Sequence, residues 1–149
     1  MSSTELTPKQ EAILGSWILD RSVNFDEYLK KIGINAFKRA IARKANPMII
    51  VSIDDDDETW KVTVKSAFRK DEWTFVVGER VKQKTIDGRC FWTTATWDGD
   101  VLVEIQEVCD EDPSAVPSII RRYVNRDDFL VAECIAGNVV AKRYYKRVD

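Results

Sequence analysis

Arg143 and Tyr145 are the pair of side chains whose chemistry and spacing first suggest an anion-binding site. A guanidinium carries a permanent positive charge with donors in a fixed plane, and a phenol adds a neutral hydroxyl donor. Residues two positions apart point to the same face of a β-strand, so both side chains can meet one buried carboxylate. On the residues alone, the simpler interpretation is two outward-facing residues in a basic C-terminal tail.

The composition excludes much of enzyme chemistry. The 149 residues include no histidine, which removes Ser-His-Asp and Cys-His nucleophiles and the commonest transition-metal ligand. Cys90, Cys109 and Cys134 are odd in number and widely spaced, so we expect free thiols in a reducing compartment. The acidic run 54–57 lacks the spaced ligands of a calcium loop. We therefore predict a protein that is not an enzyme and binds no metal or cofactor.

Charge and hydropathy indicate a cytoplasmic protein. The formal net charge is −2, from 23 basic and 25 acidic residues, so no global field attracts nucleic acid and we expect no nucleic-acid partner. Residues 1–12 are polar, without an apolar signal segment, and no apolar run is long enough to span a bilayer. We expect a polar N-terminal extension over 1–13 and one domain over 14–149, in the cytoplasm with nuclear entry possible.

A pair of short helices is predicted between residues 24 and 46. Asn24 is a favourable N-cap with Glu27 in the capping-box position, and apolar residues follow at helical spacing. Gly33 can end this helix in the left-handed conformation. Asn35 can cap a second helix, which Pro47 prevents from continuing.

The remaining chain has the pattern of an antiparallel sheet. Short runs rich in β-branched and aromatic residues alternate with turn residues, and no crossover helix separates them. Such a meander closes on itself or folds into two packed sheets, because either arrangement removes exposed edges. The predicted strands are 15–19, 48–53, 59–68, 73–77, 81–85, 90–96, 101–109, 118–124, 129–135 and 139–147.

Short motifs follow one another in a specific order along the chain. They are Gly15-x-Trp17, the segments 24–29 and 32–34, Pro47, Phe75-x-x-Gly78-Glu79, Thr85-x-Asp87-Gly88-Arg89, Trp97-Asp98-Gly99, the segment 130–134 and Arg143-x-Tyr145. Together they make residues 15–148 resemble the intracellular lipid-binding proteins of the calycin superfamily, which include fatty-acid-binding and cellular retinoid-binding proteins. The resemblance implies a mainly β fold, a ten-strand antiparallel up-and-down β-barrel (β-clam) capped by a helix-turn-helix, with the ligand inside.

The resemblance also implies a carboxylate site. In this family the Arg-x-Tyr pair of the last strand binds the carboxylate, which assigns Arg143 and Tyr145. The family normally supplies a second arginine from the eighth strand. An ungapped count places Tyr123 at that position and Arg121 on the same inward face, so Arg121 is preferred. If the hairpin at 125–128 holds one extra residue, the inward arginine is Arg122 instead, because a one-residue slip exchanges the faces.

Two further groups of residues are candidates for function: the first falls where this family lines its pocket and portal, and the second is the basic stretch of the helical region, 30–44, which holds no acidic residue. Packing of the capping helices onto the barrel rim is an equally good interpretation for the helical members of the first group. The first group is Phe25, Tyr28, Leu29, Ile34, Ala42 and Phe68. The second group is basic and is expected either to contact anionic membranes transiently or to form a solvated helix face. It comprises Lys30, Lys31, Lys38, Arg39, Arg43 and Lys44.

The leading hypothesis is an intracellular carrier, acting as a monomer, for a long-chain fatty acid or related apolar carboxylic acid. A retinoid carrier is a close alternative. A calycin-like barrel with an enzymatic or interaction-scaffold role is a different one. Glu104 and Gln106 share a face of the seventh strand and are polar interior candidates without an assigned partner.

Overall fold

An antiparallel sheet of ten strands forms most of the computed structural model, which describes residues 5–67 and 69–148. Its strands are β1 (Gly15–Val23), β2 (Met48–Ile53), β3 (Thr59–Lys65), β4 (Lys70–Val76), β5 (Arg80–Lys84), β6 (Cys90–Asp98), β7 (Val101–Val108), β8 (Ile119–Val124), β9 (Phe129–Ala136) and β10 (Val139–Val148). Neighbours in the sheet follow the order β4-β3-β2-β1-β10-β9-β8-β7-β6-β5. The barrel is thus nearly closed, with its seam between β4 and β5, and the predicted ten-strand barrel is confirmed.

Within the described ranges three helices accompany the barrel: α1 (Pro8–Glu11), α2 (Phe25–Lys31) and α3 (Ala36–Lys44). Helices α2 and α3 form the predicted helix-turn-helix between β1 and β2. Gly33 has φ 92° after α2, as expected for a left-handed helix end. Asn35 caps α3, because its side-chain oxygen accepts from the Lys38 N–H at 2.9 Å. In the described part of the chain, no helix is long and apolar enough to cross a membrane.

Helix α2 begins where it was predicted, with Asn24 at the N-cap position, but the predicted side-chain cap is absent. The side chain of Asn24 makes no capping hydrogen bond; its Nδ2 instead donates to the Val140 carbonyl at 3.1 Å. Asn24 has φ 62°, a left-handed conformation that asparagine tolerates better than most residues. Glu27 pairs with Lys30 at 3.9 Å rather than completing a capping box. Asn24 therefore forms the turn from β1 into α2 and fastens it to β10, and its side chain does not cap the helix.

The first described residues close the barrel end opposite α2 and α3. Ile13 and Trp17 are fully buried, and the Trp17 Nε1–H donates to the Ile13 carbonyl at 3.0 Å. The Thr7 hydroxyl donates to Asp100 at 2.9 Å, and Arg147 donates to the Ala12 carbonyl at 3.0 Å. Residues 5–13, expected to be a polar extension, thus contribute apolar side chains to the core.

The turn between β8 and β9 determines which residues of β8 face the interior. The Asn125 N–H donates to the Phe129 carbonyl at 2.9 Å, so three residues, 126–128, form the turn. Asp128 has φ 63°, the left-handed residue typical of such a three-residue hairpin. Val124 is therefore opposite Leu130, which is fully buried in the core. By alternation, the even-numbered residues of β8 point inward.

Candidate ligand-binding site

A cavity of about 700 Å³ lies inside the barrel beneath α2 and α3. Its wall includes apolar side chains from the helices and the strands, with polar groups at the mouth and on β7, β8 and β10. The five described members of the predicted pocket group, Phe25, Tyr28, Leu29, Ile34 and Ala42, all line it. Phe68, the sixth member, lies outside the described residues. Trp60, Trp73 and Trp97 pack in or against the core and leave this space open.

Arg143 and Tyr145 both line the cavity, as predicted from their spacing. Arg143 is only 9% exposed, and its Nε–H donates to the Tyr145 hydroxyl oxygen at 3.2 Å. A second donor reaches the Ser22 hydroxyl at 3.3 Å, and the guanidinium carbon lies 3.7 Å from the centre of the Phe25 ring. Among the described residues, Arg143 forms no ion pair. It is a buried cation supported by neutral groups and an aromatic face.

Arg122, rather than Arg121, is the arginine of β8 that lines the cavity. It is directly opposite Ala132, and Ala132 is opposite Arg143, so the two arginines lie on one inward-facing row. The Arg122 Nη1–H donates to Glu104 Oε1 at 3.2 Å, with side chains only 13% and 12% exposed. The preference for Arg121 was wrong because the three-residue turn after β8 shifts the pairing by one residue.

The profile of the Lipocalin / cytosolic fatty-acid binding protein family matches residues 14–148. The chain belongs to this family. The liver fatty acid-binding protein of Lethenteron camtschaticum is 40% identical over 119 residues, which cover 80% of this chain and 97% of that protein. Sodium/calcium exchanger regulatory protein 1 of Doryteuthis pealeii is 32% identical over 137 residues, covering 92% and 97%. Among solved structures, the Schistosoma mansoni fatty acid binding protein in complex with arachidonic acid has 27% identity and a TM-score of 0.82, with 95% of this chain and 99% of that chain covered.

Arg121 and Tyr123 lie on the outer face of the barrel in this family member. Arg121 pairs with Glu133 at 3.1 Å, and the Tyr123 hydroxyl donates to the other oxygen of Glu133 at 2.7 Å. Burial and the hydrogen bond to Glu133 raise the pKa of Tyr123 to about 12. Neither residue lines the cavity, so the hydroxyl of Tyr123 is also excluded as a cavity group in this structure.

Sequence reasoning missed several polar groups of the cavity region. Glu104 was recognised as an interior candidate, but its partner Arg122 depended on the turn after β8. Ser22 was missed because β1 was expected to end at residue 19, whereas it continues to Val23 with an irregularity in its pairing to β10. Ser118 bonds to the Tyr28 hydroxyl at 2.6 Å, and burial raises the pKa of Tyr28 to about 12.

The predicted basic group divides into paired and unpaired members. Arg43 and Arg39 both pair with Asp26 of α2, at 2.8 and 3.3 Å. Lys30 has its weak pair with Glu27, and none of the ion pairs of the described residues includes Lys31, Lys38 or Lys44. Asp26 thus reduces the net charge of the helix pair. It precedes the basic stretch 30–44, so that stretch by itself holds no acidic residue.

The outer side of α3 exposes two large apolar side chains. Phe37 is 75% exposed and Ile41 is 50% exposed, and they are four residues apart on one helix face. Both also border the mouth of the cavity. In the described part of the chain, no group of three or more histidine, cysteine, aspartate or glutamate side chains is placed to hold a metal ion.

Proposed function

We propose that this protein is a cytoplasmic carrier, acting as a monomer, that encloses one long-chain fatty acid in the barrel, with its carboxylate at Arg143 and Tyr145. The observation that carries the proposal is the buried, ionically unpaired guanidinium of Arg143 inside an otherwise largely apolar cavity. A relative named for liver fatty acid binding and a related structure holding arachidonic acid support the ligand class.

The arrangement of charge explains why an acid would be held better than a neutral lipid. A buried cation without a counter-ion is unfavourable, and a ligand carboxylate supplies that counter-ion in a bidentate geometry suited to guanidinium. Tyr145 adds a donor beside it. The cavity volume of about 700 Å³ is within the range of about 300–1,000 Å³ typical of small-molecule sites.

Turnover of the ligand is not expected. Tyr28 and Cys134 line the cavity, and burial raises their pKa values to about 12 and about 11, so neither is ionised near neutral pH. A protonated thiol and a protonated phenol are poor nucleophiles and poor general bases. The side chains around the cavity therefore support binding rather than chemistry.

Calorimetric titration tests the ligand class directly. Delipidated protein should bind oleate with a stoichiometry near one and bind methyl oleate at least tenfold more weakly, because the ester lacks the charge that compensates Arg143. Displacement of oleate by retinoic acid, measured in parallel, separates a fatty-acid preference from the retinoid alternative. Equal affinity for the acid and the ester would contradict anchoring of the carboxylate.

We propose further that the carrier exchanges ligand during transient contact of α3 with anionic membranes. Phe37 and Ile41 offer an exposed apolar face beside the cavity mouth, and Lys38 and Lys44 carry the nearby charge. Each basic residue near an anionic bilayer contributes about 1 kcal/mol to the free energy of membrane binding. Replacing two lysines with glutamates changes the net charge of this surface by four units, so the effect on membrane binding should be measurable.

Transfer kinetics to lipid vesicles test this contact. Lys38→Glu with Lys44→Glu should slow transfer of a fluorescent fatty acid to phosphatidylserine-containing vesicles and leave transfer to neutral phosphatidylcholine vesicles nearly unchanged. Lys142→Glu with Lys146→Glu, on the outer face of β10, is the charge-matched control. Equal slowing by both double variants would show an effect of net charge alone, and transfer independent of vesicle concentration would indicate release into water.

A further inference from the structure

Three charged residues, Glu104 of β7, Arg122 of β8 and Arg143 of β10, line the cavity. Arg122 and Arg143 flank Ala132 on the same row, so their backbones are separated by two strand spacings, about 10 Å. Glu104 lies diagonally from Arg122 on β7 and pairs with it at 3.2 Å. With Arg143 unpaired, these three residues carry one net positive charge.

Arg122 already has an ionic partner within the protein, the carboxylate of Glu104. The Arg122 Nη1 donates to Glu104, and its Nε is buried without a hydrogen-bond partner among the described residues. Both side chains of the pair are nearly nine-tenths removed from solvent. A ligand carboxylate approaching Arg122 would therefore meet the negative charge of Glu104 as well, and the two opposing interactions largely cancel.

We propose that Glu104 is a built-in counter-ion of Arg122 that leaves Arg143 as the single uncompensated buried cation among the described residues of the cavity wall, so the cavity selects ligands with a singly charged head group. The inference rests on the proposed function, because it concerns the same carboxylate site. It assigns to Glu104 the role of a specificity residue: its charge lowers the number of anionic charges that the cavity accommodates from two to one. A monocarboxylate then neutralises the cavity wall, whereas a dianionic head group leaves an excess negative charge.

The first test compares oleate with oleyl phosphate, whose hydrocarbon chains have the same length and unsaturation but whose head groups differ in charge. At pH 8 the phosphate monoester is close to dianionic, since its second pKa is about 6. Wild-type protein should prefer oleate. Glu104→Gln removes the counter-ion while keeping the side-chain shape, and the ratio of the two dissociation constants should shift toward the phosphate by at least tenfold. An unchanged ratio in a folded variant would overturn the proposal.

The second test separates a counter-ion from a direct ligand contact. Arg122→Gln leaves Glu104 unpaired near the bound carboxylate and should weaken oleate binding at least tenfold. Adding Glu104→Gln removes that repulsion, and the double variant should return to within about threefold of the wild-type dissociation constant. A double variant as weak as Arg122→Gln alone would show that Arg122 itself holds the ligand, and the counter-ion role would be wrong.

The outer face supplies the matched control. Arg121→Gln and Glu133→Gln, alone and together, change the same pair of residue types on β8 and β9 outside the cavity. Each variant should leave the affinities for oleate and oleyl phosphate, and the ratio of the two, within twofold of wild type. A larger effect would mean that the Arg122 and Glu104 variants act through the net charge of the protein and not through the cavity. If Arg122→Gln does not fold, Glu104→Gln still decides the proposal. Failure of wild-type protein to bind oleate at all would instead refute the proposed function.

Discussion

Two arginine–glutamate pairs begin at adjacent residues of β8 and face opposite sides of the same sheet. Arg122 pairs with Glu104 inside the barrel at 3.2 Å, and Arg121 pairs with Glu133 outside it at 3.1 Å. The distances are nearly equal, yet Arg121 is 36% exposed and Arg122 only 13%. The two glutamates are similarly buried, at 13% and 12% exposed, so the pairs differ in the exposure of the arginine and in the face of the strand: Arg122 and Glu104 line the cavity, whereas Arg121 lies on the outer face.

The largest expected difference between the pairs is in stability. Arg122→Ala leaves Glu104 buried without a counter-ion and should lower the free energy of unfolding by about 3–5 kcal/mol. Arg121→Ala leaves Glu133 with the Tyr123 hydroxyl and nearby Lys142, and should cost about 0–1 kcal/mol. Urea unfolding of ligand-free protein measures both. Similar losses for the two variants would mean that the inner pair is solvated in a way that the structure does not show.

The next difference concerns ligand affinity across the two faces of β10. Arg143→Gln removes the buried, unpaired guanidinium of the cavity wall and should weaken oleate binding by about 2–5 kcal/mol. Lys142→Gln, the adjacent residue on the outer face, should have no measurable effect. Calorimetric titration at fixed ionic strength gives both values. A silent Arg143→Gln in a folded protein would place the acid group elsewhere.

A smaller effect is expected from the hydroxyl beside Arg143. Tyr145→Phe removes one neutral hydrogen bond at the anchor and should weaken oleate binding by about 0.5–1.5 kcal/mol. Tyr144→Phe is the matched variant, because Tyr144 lies on the outer face, where its ring contacts Arg21 and Phe129. The same titration compares them. A loss for Tyr145→Phe as great as for Arg143→Gln would mean that the phenol, and not the guanidinium, is the main anchor.

The smallest expected effect is a change in the pKa of Tyr123 on the outer face of the barrel. Glu133→Gln replaces the anionic acceptor of the Tyr123 hydroxyl with a neutral amide and removes the charge that disfavours the phenolate, so the pKa of Tyr123 should fall from about 12 toward its ordinary value of 10. A raised pKa stabilises the fold below the unfolded value of 10 and that stabilisation is lost as the pH rises through about 12. Carbon-13 NMR of the tyrosine ring carbons measures the shift, with Tyr28 inside the barrel as the internal reference that should not move.

The fold could be predicted from local signals that agree with one another. Turn residues separate every pair of strands, and the change from helical to alternating periodicity after Pro47 locates the helix pair. Asn24 shows the limit of such signals. The residue occupies a typical N-cap position, but the conformation there depends on how the end of β1 lies against β10, which no local pattern contains.

The candidate site was predictable where it depended on one strand. Arg143 and Tyr145 are two positions apart on β10, so alternation alone brings them together. Arg122 depended instead on the number of residues in the turn after β8. Sequence offers several turn lengths for the segment Asn125–Phe129, and each one-residue difference exchanges the inner and outer faces. The unsuccessful choice of Arg121 therefore came from register and not from chemistry.

The direct pairing of β1 with β10 joins the two ends of the chain in the middle of the sheet. A growing polypeptide synthesised from its N-terminus therefore has no neighbour for one side of β1 until the last strand leaves the ribosome. Contacts between such distant segments are formed late because a long loop must first be closed. Since Arg143 lies on β10, closure of the barrel and placement of Arg143 in the cavity wall occur in the same step of folding.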